Sequence, residues 1–139
     1  MTRQPALKFA SKAKRKTPEA NLQKTVVAYI RMRKVPNLVW GASMNGVKLG
    51  IRAASRMKEQ GMEAGEPDLY FLIDGCYFGL ELKNGKAGVQ SVAQKDFERR
   101  VNASGGEYYI ARDIEQALTY LEDCGAIHKQ VRRNYRMAA

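Results

Sequence analysis

Three ionisable side chains, Asp68, Glu81 and Lys83, lie in two apolar runs of the chain that are joined by Asp74-Gly75. Asp-Gly between two such runs is typical of a two-residue hairpin turn. Counting outward from the turn places residue 68 opposite residue 81, and the alternation of side chains along a strand puts Lys83 on the same face as Glu81. The sequence therefore predicts that two carboxylates and one ammonium group converge at one end of a hairpin.

Two neighbouring carboxylates repel each other, so this arrangement destabilises a sheet unless a cation lies between them. Carboxylate oxygens together with water are the ligands that Mg²⁺ prefers. A divalent cation held there would lower the pKa of a bound water and offset negative charge that develops beside it. The alternative interpretation is a solvated outer face on which Lys83 and Glu81 pair with Asp68, and the spacing alone fits both.

The elements that must position these side chains follow from apolar periodicity and from the Gly, Pro and capping residues that interrupt it. Leu80 and Leu82 are expected to point inward from the second hairpin strand. The predicted elements are a helix at 18–34, a short strand at 38–41, a helix near 49–60, hairpin strands at 68–73 and 77–83, a helix near 90–103, a strand at 108–110, and a last helix from the Asp113 cap to about Cys124. This order predicts an α/β fold with a small mixed sheet flanked by helices.

The formal net charge of +10 is concentrated at the two ends of the chain. Residues 1–17 and 128–139 contain basic residues and no acid, whereas residues 18–127 are neutral overall. We therefore predict one domain at 18–127 between two basic tails, which would contact phosphates or serve localisation or solubility. The predicted nucleic-acid contacts are Lys12, Lys14, Arg15, Lys16, Lys86, Arg132 and Arg133.

Hydropathy and cysteine content limit the cellular context. No apolar run approaches the roughly 18 residues that a membrane-spanning helix needs, and the polar N-terminus lacks the apolar region of a signal peptide. We expect a cytoplasmic protein without a membrane partner. Cys76 and Cys124 are expected to be reduced and partly buried, with no chemistry of their own.

The segment Pro67-Asp68, followed after a short hairpin by Glu81-Leu82-Lys83, resembles the core of the PD-(D/E)XK nucleases. The wider pattern resembles their VRR-Nuc branch, the virus-type replication-repair nucleases, over most of the chain. The matching features are Glu19 with Gln23, Asn45-Gly46, the approach "RMKEQGMEAGEPDLYF", the stretch "GLELKNGKAGVQSVAQKDF", and Gly106 before the strand Tyr108-Tyr109-Ile110. The resemblance implies a restriction-endonuclease-like fold.

The same resemblance implies roles for individual residues. The metal ligands, for Mg²⁺ or Mn²⁺, would be Asp68, Glu81, the backbone carbonyl of Leu82 and, as an accessory acid, Glu19. Lys83 would orient the attacking water and stabilise developing charge, and Gln94 would be the helix glutamine beside the active site. Gln90 competes for this last role, because positions 90 and 94 share one helix face.

The function implied by the resemblance is a metal-dependent DNA endonuclease, selective for branched or flapped DNA in phage-type replication, recombination or repair. A homodimer is one arrangement that the resemblance allows. The alternatives are a catalytically silent nucleic-acid-binding module with a nuclease-like fold, and an RNA-binding protein that acts through its basic tails. Tyr70, Tyr108 and Tyr109 could stack on bases or pack within the sheet. Metal-dependent cleavage separates the first hypothesis from the other two.

Overall fold

The structure, a computed structural model, describes residues 18–44, 49–85 and 88–130, without the side chains of residues 18–20. In these ranges four helices and four strands follow one another along the chain. Their bounds are α1 Pro18–Arg33, β1 Val39–Ala42, α2 Ile51–Glu59, β2 Leu69–Ile73, β3 Cys76–Leu82, α3 Val92–Ala103, β4 Glu107–Ala111 and α4 Ile114–Asp123. The predicted α/β fold class is confirmed, and each predicted element lies within two residues of its expected bounds, because helix and strand ends are set by weak terminal hydrogen bonds.

The sheet has the strand order β1-β2-β3-β4. Strands β2 and β3 form the predicted hairpin, in which Asp74 and Gly75 adopt positive φ angles of 49° and 79°. Positive φ at both central residues defines a type I′ turn, whose twist matches that of the flanking strands. Strand β4 lies parallel to β3, because α3 carries the chain across one face of the sheet between them.

The hydrophobic core lies between one face of the sheet and the helices α1 and α4. Strand β2 alternates buried and exposed residues along its length, so that one of its faces enters the core. The largest buried side chains of this layer are Val26 and Ile30 of α1, Leu69 and Phe71 of β2, Leu80 and Leu82 of β3, Leu121 of α4, and Ile127. The opposite face of the sheet carries α3, where Phe97 lies 6.3 Å from Tyr108, measured between ring centroids.

Capping residues fix where the later helices begin. The Ser91 side chain accepts a hydrogen bond from the backbone of Gln94, and the Gln94 side chain accepts one from the backbone of Ser91. This reciprocal pair is a capping box, and it sets the first turn of α3. Asp113 caps α4 by accepting from the Gln116 amide at 2.7 Å.

The two cysteines form no disulfide. Cys124 is half-buried as expected, but Cys76 is exposed, which corrects the prediction. It is the first residue of β3 and directly follows the exposed two-residue turn. Among the helices of the described ranges, none has both the length and the apolar character required to cross a bilayer.

Candidate active site

Asp68 and Glu81 face each other where β2 begins and β3 approaches its end. The pairing of Leu69 with Leu80 places residue 68 opposite residue 81, which is the register predicted from the turn. The backbone amide of Asp68 donates to Glu81 Oε2 at 3.2 Å, and Asp68 Oδ2 accepts from the amide of Leu82 at 2.7 Å. The backbone of the opposite strand therefore holds each carboxylate. Both side chains are fixed in this way without the ordering of a long, flexible side chain.

Glu81 is only 4% exposed, although it is charged in water at neutral pH. Its Oε1 accepts a hydrogen bond from Gln94 Nε2 at 2.8 Å and lies 3.4 Å from Lys83 Nζ. Lys83 follows β3 by one residue, and its amide donates to the carbonyl of Ala111 on β4. Three donors from β2, α3 and the end of β3 thus converge on one buried carboxylate.

Burial and, next, the nearby charge of Asp68 raise the pKa of Glu81 to about 7, although Lys83 partly opposes both effects. The fold therefore favours the neutral form of this side chain more than water does. Perturbation by burial and by a like charge at one point is typical of functional carboxylates. The solvated-face interpretation fails for Glu81, because a surface salt bridge would leave this carboxylate in water.

Gln94 connects the start of α3 to the carboxylate pair. Its Oε1 accepts from the amide of Ser91 as part of the capping box, and its Nε2 donates to Glu81. Gln90 instead donates to Glu98 at 2.7 Å. Of the two glutamines that the sequence left open, the geometry thus places Gln94 in contact with the carboxylate, and its part in catalysis stays a prediction.

Gly65 permits the close approach of the loop before Asp68 to the first turn of α3. It has φ +86°, and a Cβ at this position would lie 2.2 Å from the carbonyl oxygen of Ala93 and 2.8 Å from the amide of Gln94. Both neighbours are backbone atoms that cannot rotate away. Gly65 therefore sets the distance between the segment that carries Asp68 and the helix that carries Gln94.

We predict that Gly65→Ala lowers the free energy of unfolding by at least about 2 kcal/mol, through backbone strain and overlap with α3. The matched control is Gly61→Ala, which has φ +101° but nothing within 4 Å of the added Cβ. The control loses only the conformational preference of glycine, about 1 kcal/mol. Urea denaturation of both variants measures the difference, and equal losses would contradict a steric role for Gly65.

Arg112 was not singled out from the sequence. It follows β4 directly, and its Nη1 donates to the carbonyls of Gly85 at 2.8 Å and Gly88 at 2.6 Å. These carbonyls flank the loop that follows Lys83, so Arg112 ties this loop to β4. No local sequence signal identifies this residue, because its contacts join positions 24 and 27 residues apart.

The donor set at Asp68 and Glu81 fits a divalent cation. Both side chains present hard anionic oxygens to one place, and these are the donors that Mg²⁺ and Mn²⁺ prefer. No group of three or more His, Cys, Asp or Glu side chains able to hold a metal occurs within the described ranges. A cation here would depend on the two carboxylates, water, the Leu82 carbonyl and Glu19, whose side chain is among those not described.

Other predicted site residues lie elsewhere. All the predicted nucleic-acid contacts, Lys12, Lys14, Arg15, Lys16, Lys86, Arg132 and Arg133, fall outside the described residues, as does Asn45-Gly46.

Of the three tyrosines considered for stacking, Tyr108 is buried against Phe97, and Tyr109 stacks on Tyr120 with ring centroids 4.4 Å apart. Tyr70 remains 38% exposed on the face of the sheet that carries the carboxylates.

The fold of the chain is shared with solved structures. No protein-family model matches the chain, and no curated protein does either. A structure named "VRR_NUC domain protein" is similar with a TM-score of 0.62 and 20% identity, over 76% of this chain and 85% of that one. A second, named "VRR_NUC domain", has a TM-score of 0.50 and 17% identity, over 75% of this chain and 94% of its own. The protein thus has the fold of VRR_NUC domain structures, which confirms the resemblance at the level of the fold.

Proposed function

We propose that the protein is a metal-dependent DNA endonuclease. The observation that carries this proposal is the convergence of Asp68, Glu81, Lys83 and Gln94 at the end of one hairpin, with Glu81 buried. Nothing in the packing of the core requires two carboxylates at this place. The similarity of the fold to structures named VRR_NUC supports a nuclease in particular.

Each residue of the site has its own role in the proposed cleavage reaction. Asp68 and Glu81 hold the divalent cation, Mg²⁺ or Mn²⁺, with the Leu82 carbonyl and Glu19 as further ligands. When bound, the cation acidifies water and offsets phosphate charge. Lys83 orients the attacking water and places a positive charge beside the phosphate, where negative charge develops. Gln94 holds the orientation of Glu81 through its hydrogen bond to Oε1.

We predict that the protein cleaves DNA with Mg²⁺ or Mn²⁺ and that EDTA abolishes cleavage. Ca²⁺ should support DNA binding without turnover, because it binds carboxylates with looser geometry and is a poorer Lewis acid. The measurement is gel-based cleavage of linear, flapped and four-way DNA with each ion. Binding to DNA with no cleavage under any of these ions would favour the catalytically silent module instead.

We further propose a preference for branched or flapped DNA, as in phage-type replication, recombination or repair, and a cytoplasmic location. The support is the resemblance of the site motifs. A homodimer would present two such sites to the two strands of a junction. Comparing cleavage rates on linear, flapped and four-way DNA tests the preference, and equal rates on all of them would contradict it.

The basic ends of the chain are proposed to bind the phosphate backbone. We predict that replacing the basic residues of 1–17 and 128–139 with glutamine flattens the slope of log affinity against log salt by roughly four to five units, if about half of them contact phosphates. Substitution is preferable to deletion, because the amide of His128 donates to the carbonyl of Arg33. An unchanged slope would instead assign binding to a local basic face of the domain, for instance Lys48, Arg52, Arg56 and Lys58.

A further inference from the structure

A cleft of about 760 Å³ opens on the same face of the sheet as the carboxylate pair. Glu66 and Pro67 line it, so its wall is continuous with the segment that leads directly to Asp68. Most of its larger side chains are apolar or aromatic, among them Met44, Met57, Met62, Tyr70, Tyr77 and Phe97. The core does not use this cleft, because the buried layer with α1 and α4 lies on the other face of the sheet.

Tyr70 presents an aromatic ring at a defined place in this cleft. A Cβ at Gly41 of β1 would lie 2.6 Å from the Tyr70 hydroxyl oxygen and 2.8 Å from its Cζ, so the ring rests directly on the backbone of Gly41. Tyr70 is nevertheless 38% exposed, which leaves part of the ring open to a ligand. Because residue 41 has no side chain, the Tyr70 ring can lie directly against the backbone at this position.

The backbone spacing between Tyr70 and Asp68 along β2 matches the phosphate spacing of an extended, unstacked nucleic-acid strand. Tyr70 is two residues along β2 from Asp68 on the same face, which corresponds to about 7 Å. This spacing is about the distance that one nucleotide spans in an extended strand. A strand with one phosphate at Asp68 and Glu81 would therefore bring an adjacent nucleotide to the mouth of the cleft.

The remaining groups of the cleft suit a base rather than an aliphatic chain. Burial, and next the charge of Glu66, raise the pKa of Tyr77 to about 12, so its hydroxyl stays neutral and able to donate a hydrogen bond. Arg100 also lines the cleft, 5.2 Å above the Phe97 ring. Aromatic faces, a neutral hydroxyl and a guanidinium are the groups with which proteins bind unstacked bases.

We propose that this cleft binds an unpaired nucleobase next to the phosphate that is cleaved, with Tyr70 as its stacking platform. The proposal rests on the proposed function, since it assumes that a phosphate lies at Asp68 and Glu81. A base can enter the cleft only when it has left its duplex stack, and this costs least at flaps, junctions and single strands. The cleft would thereby supply a physical basis for a preference for branched DNA.

The test compares two ligands of equal charge in Ca²⁺, where we expect binding without turnover. One is a short oligodeoxythymidylate, and the other is a strand of the same length whose residues are abasic. Because both ligands carry the same phosphates, contributions from the basic ends of the chain cancel in the ratio of affinities. We expect the wild-type protein to bind the strand with bases at least about fivefold more tightly.

Variants at residue 70 connect this preference to the cleft. Tyr70→Leu should remove it by taking away the aromatic face, whereas Tyr70→Phe should keep it. Leu72→Ala is the matched control, since Leu72 is 40% exposed on the same face of β2 but does not line the cleft. A preference of wild type for bases that Tyr70→Leu removes and Leu72→Ala keeps would support the proposal.

Equal binding of the two strands by the wild-type protein, or a preference that persists in Tyr70→Leu, would overturn the proposal. Failure of the nuclease assignment has a different signature, namely no cleavage of any DNA by the wild-type protein with Mg²⁺ or Mn²⁺. The two failures are therefore distinguishable, because one is measured as binding in Ca²⁺ and the other as turnover.

Discussion

Replacing Lys83 with methionine is expected to lower the turnover number for DNA cleavage by about 10²- to 10³-fold. Methionine keeps most of the length of the lysine side chain but removes the ammonium group that lies 3.4 Å from Glu81 Oε1. A positive charge at this place stabilises a phosphate most when its negative charge increases, so its removal should reduce turnover more than affinity. Steady-state kinetics on a flapped DNA would separate the two quantities.

The control for this variant is Lys95→Met, which removes an exposed lysine from α3. This variant has the same change in net charge, so a general loss of attraction to DNA would appear equally in both proteins. We expect Lys95→Met to retain the wild-type turnover number. If Lys83→Met raised only KM and left the turnover number unchanged, Lys83 would be a binding residue and its catalytic assignment would be wrong.

The second large effect concerns stability, and it has the opposite sign to the effect on activity. Between pH 4.5 and about 7, the free energy of unfolding of metal-free Glu81→Gln should rise relative to wild type by up to about 3 kcal/mol, while the substitution abolishes cleavage. Burial and the neighbouring Asp68 raise the pKa of Glu81 from 4.5 to about 7, which means that the folded protein disfavours its charged form. Glutamine has nearly the same shape and carries no charge at any pH.

The dependence on pH follows from the direction of this shift. A carboxyl group whose pKa is raised by folding contributes its stability below the unfolded pKa of 4.5 and loses it as the pH rises through about 7. The stability of Glu81→Gln relative to wild type should therefore increase between these two values and then remain constant. Urea denaturation in EDTA at a series of pH values measures this difference.

Two controls make the stability experiment specific. Glu59→Gln removes an exposed carboxylate at the end of α2 and should show no such increase with pH. Addition of Mn²⁺ should stabilise the wild-type protein more than Glu81→Gln, because a ligand that binds the folded state shifts unfolding by its affinity. A stability difference that stayed constant with pH would contradict the assigned electrostatics of Glu81.

Both expected results follow from a compromise between the stability of the fold and the activity of the site. The site concentrates negative charge in a place where the protein would be more stable without it, and only a cation or a protonated carboxyl relieves the repulsion. Such local violations of the rules that stabilise a fold are typical of functional sites. The stability of the metal-free protein is thus a measurement of the site that does not depend on knowing the DNA substrate.

Local sequence determined the hairpin and its register. Asp74-Gly75 provides the two residues with positive φ that a type I′ turn requires, and each residue outward from the turn has a fixed partner. The opposition of Asp68 and Glu81 therefore needed no knowledge of the rest of the protein. The helix bounds also followed from short signals such as Pro18 and the Asp113 cap, because capping acts within one turn of the chain.

Tertiary structure alone decided which side chains complete the site. The sequence predicts that Gln90 and Gln94 share a helix face, but α3 begins at Val92 after the Ser91 cap, so Gln90 lies before the helix. The contact of Gln94 with Glu81 depends on where the Gly65 loop places the first turn of α3. The hydrogen bond from Arg112 to the carbonyl of Gly88 joins residues 24 positions apart, and no local sequence pattern extends over that separation.

The same division applies to the aromatic residues of the sheet. Strand alternation predicts that Tyr108 and Tyr109 point to opposite faces, because successive side chains do so in any strand. Alternation does not predict that Phe97 packs on Tyr108 and that Tyr120 packs on Tyr109. It also does not predict that Tyr70 stays partly exposed beside the carboxylates. Which face is covered depends on helices that pack from distant parts of the chain, whereas the direction of each side chain is a property of its own strand.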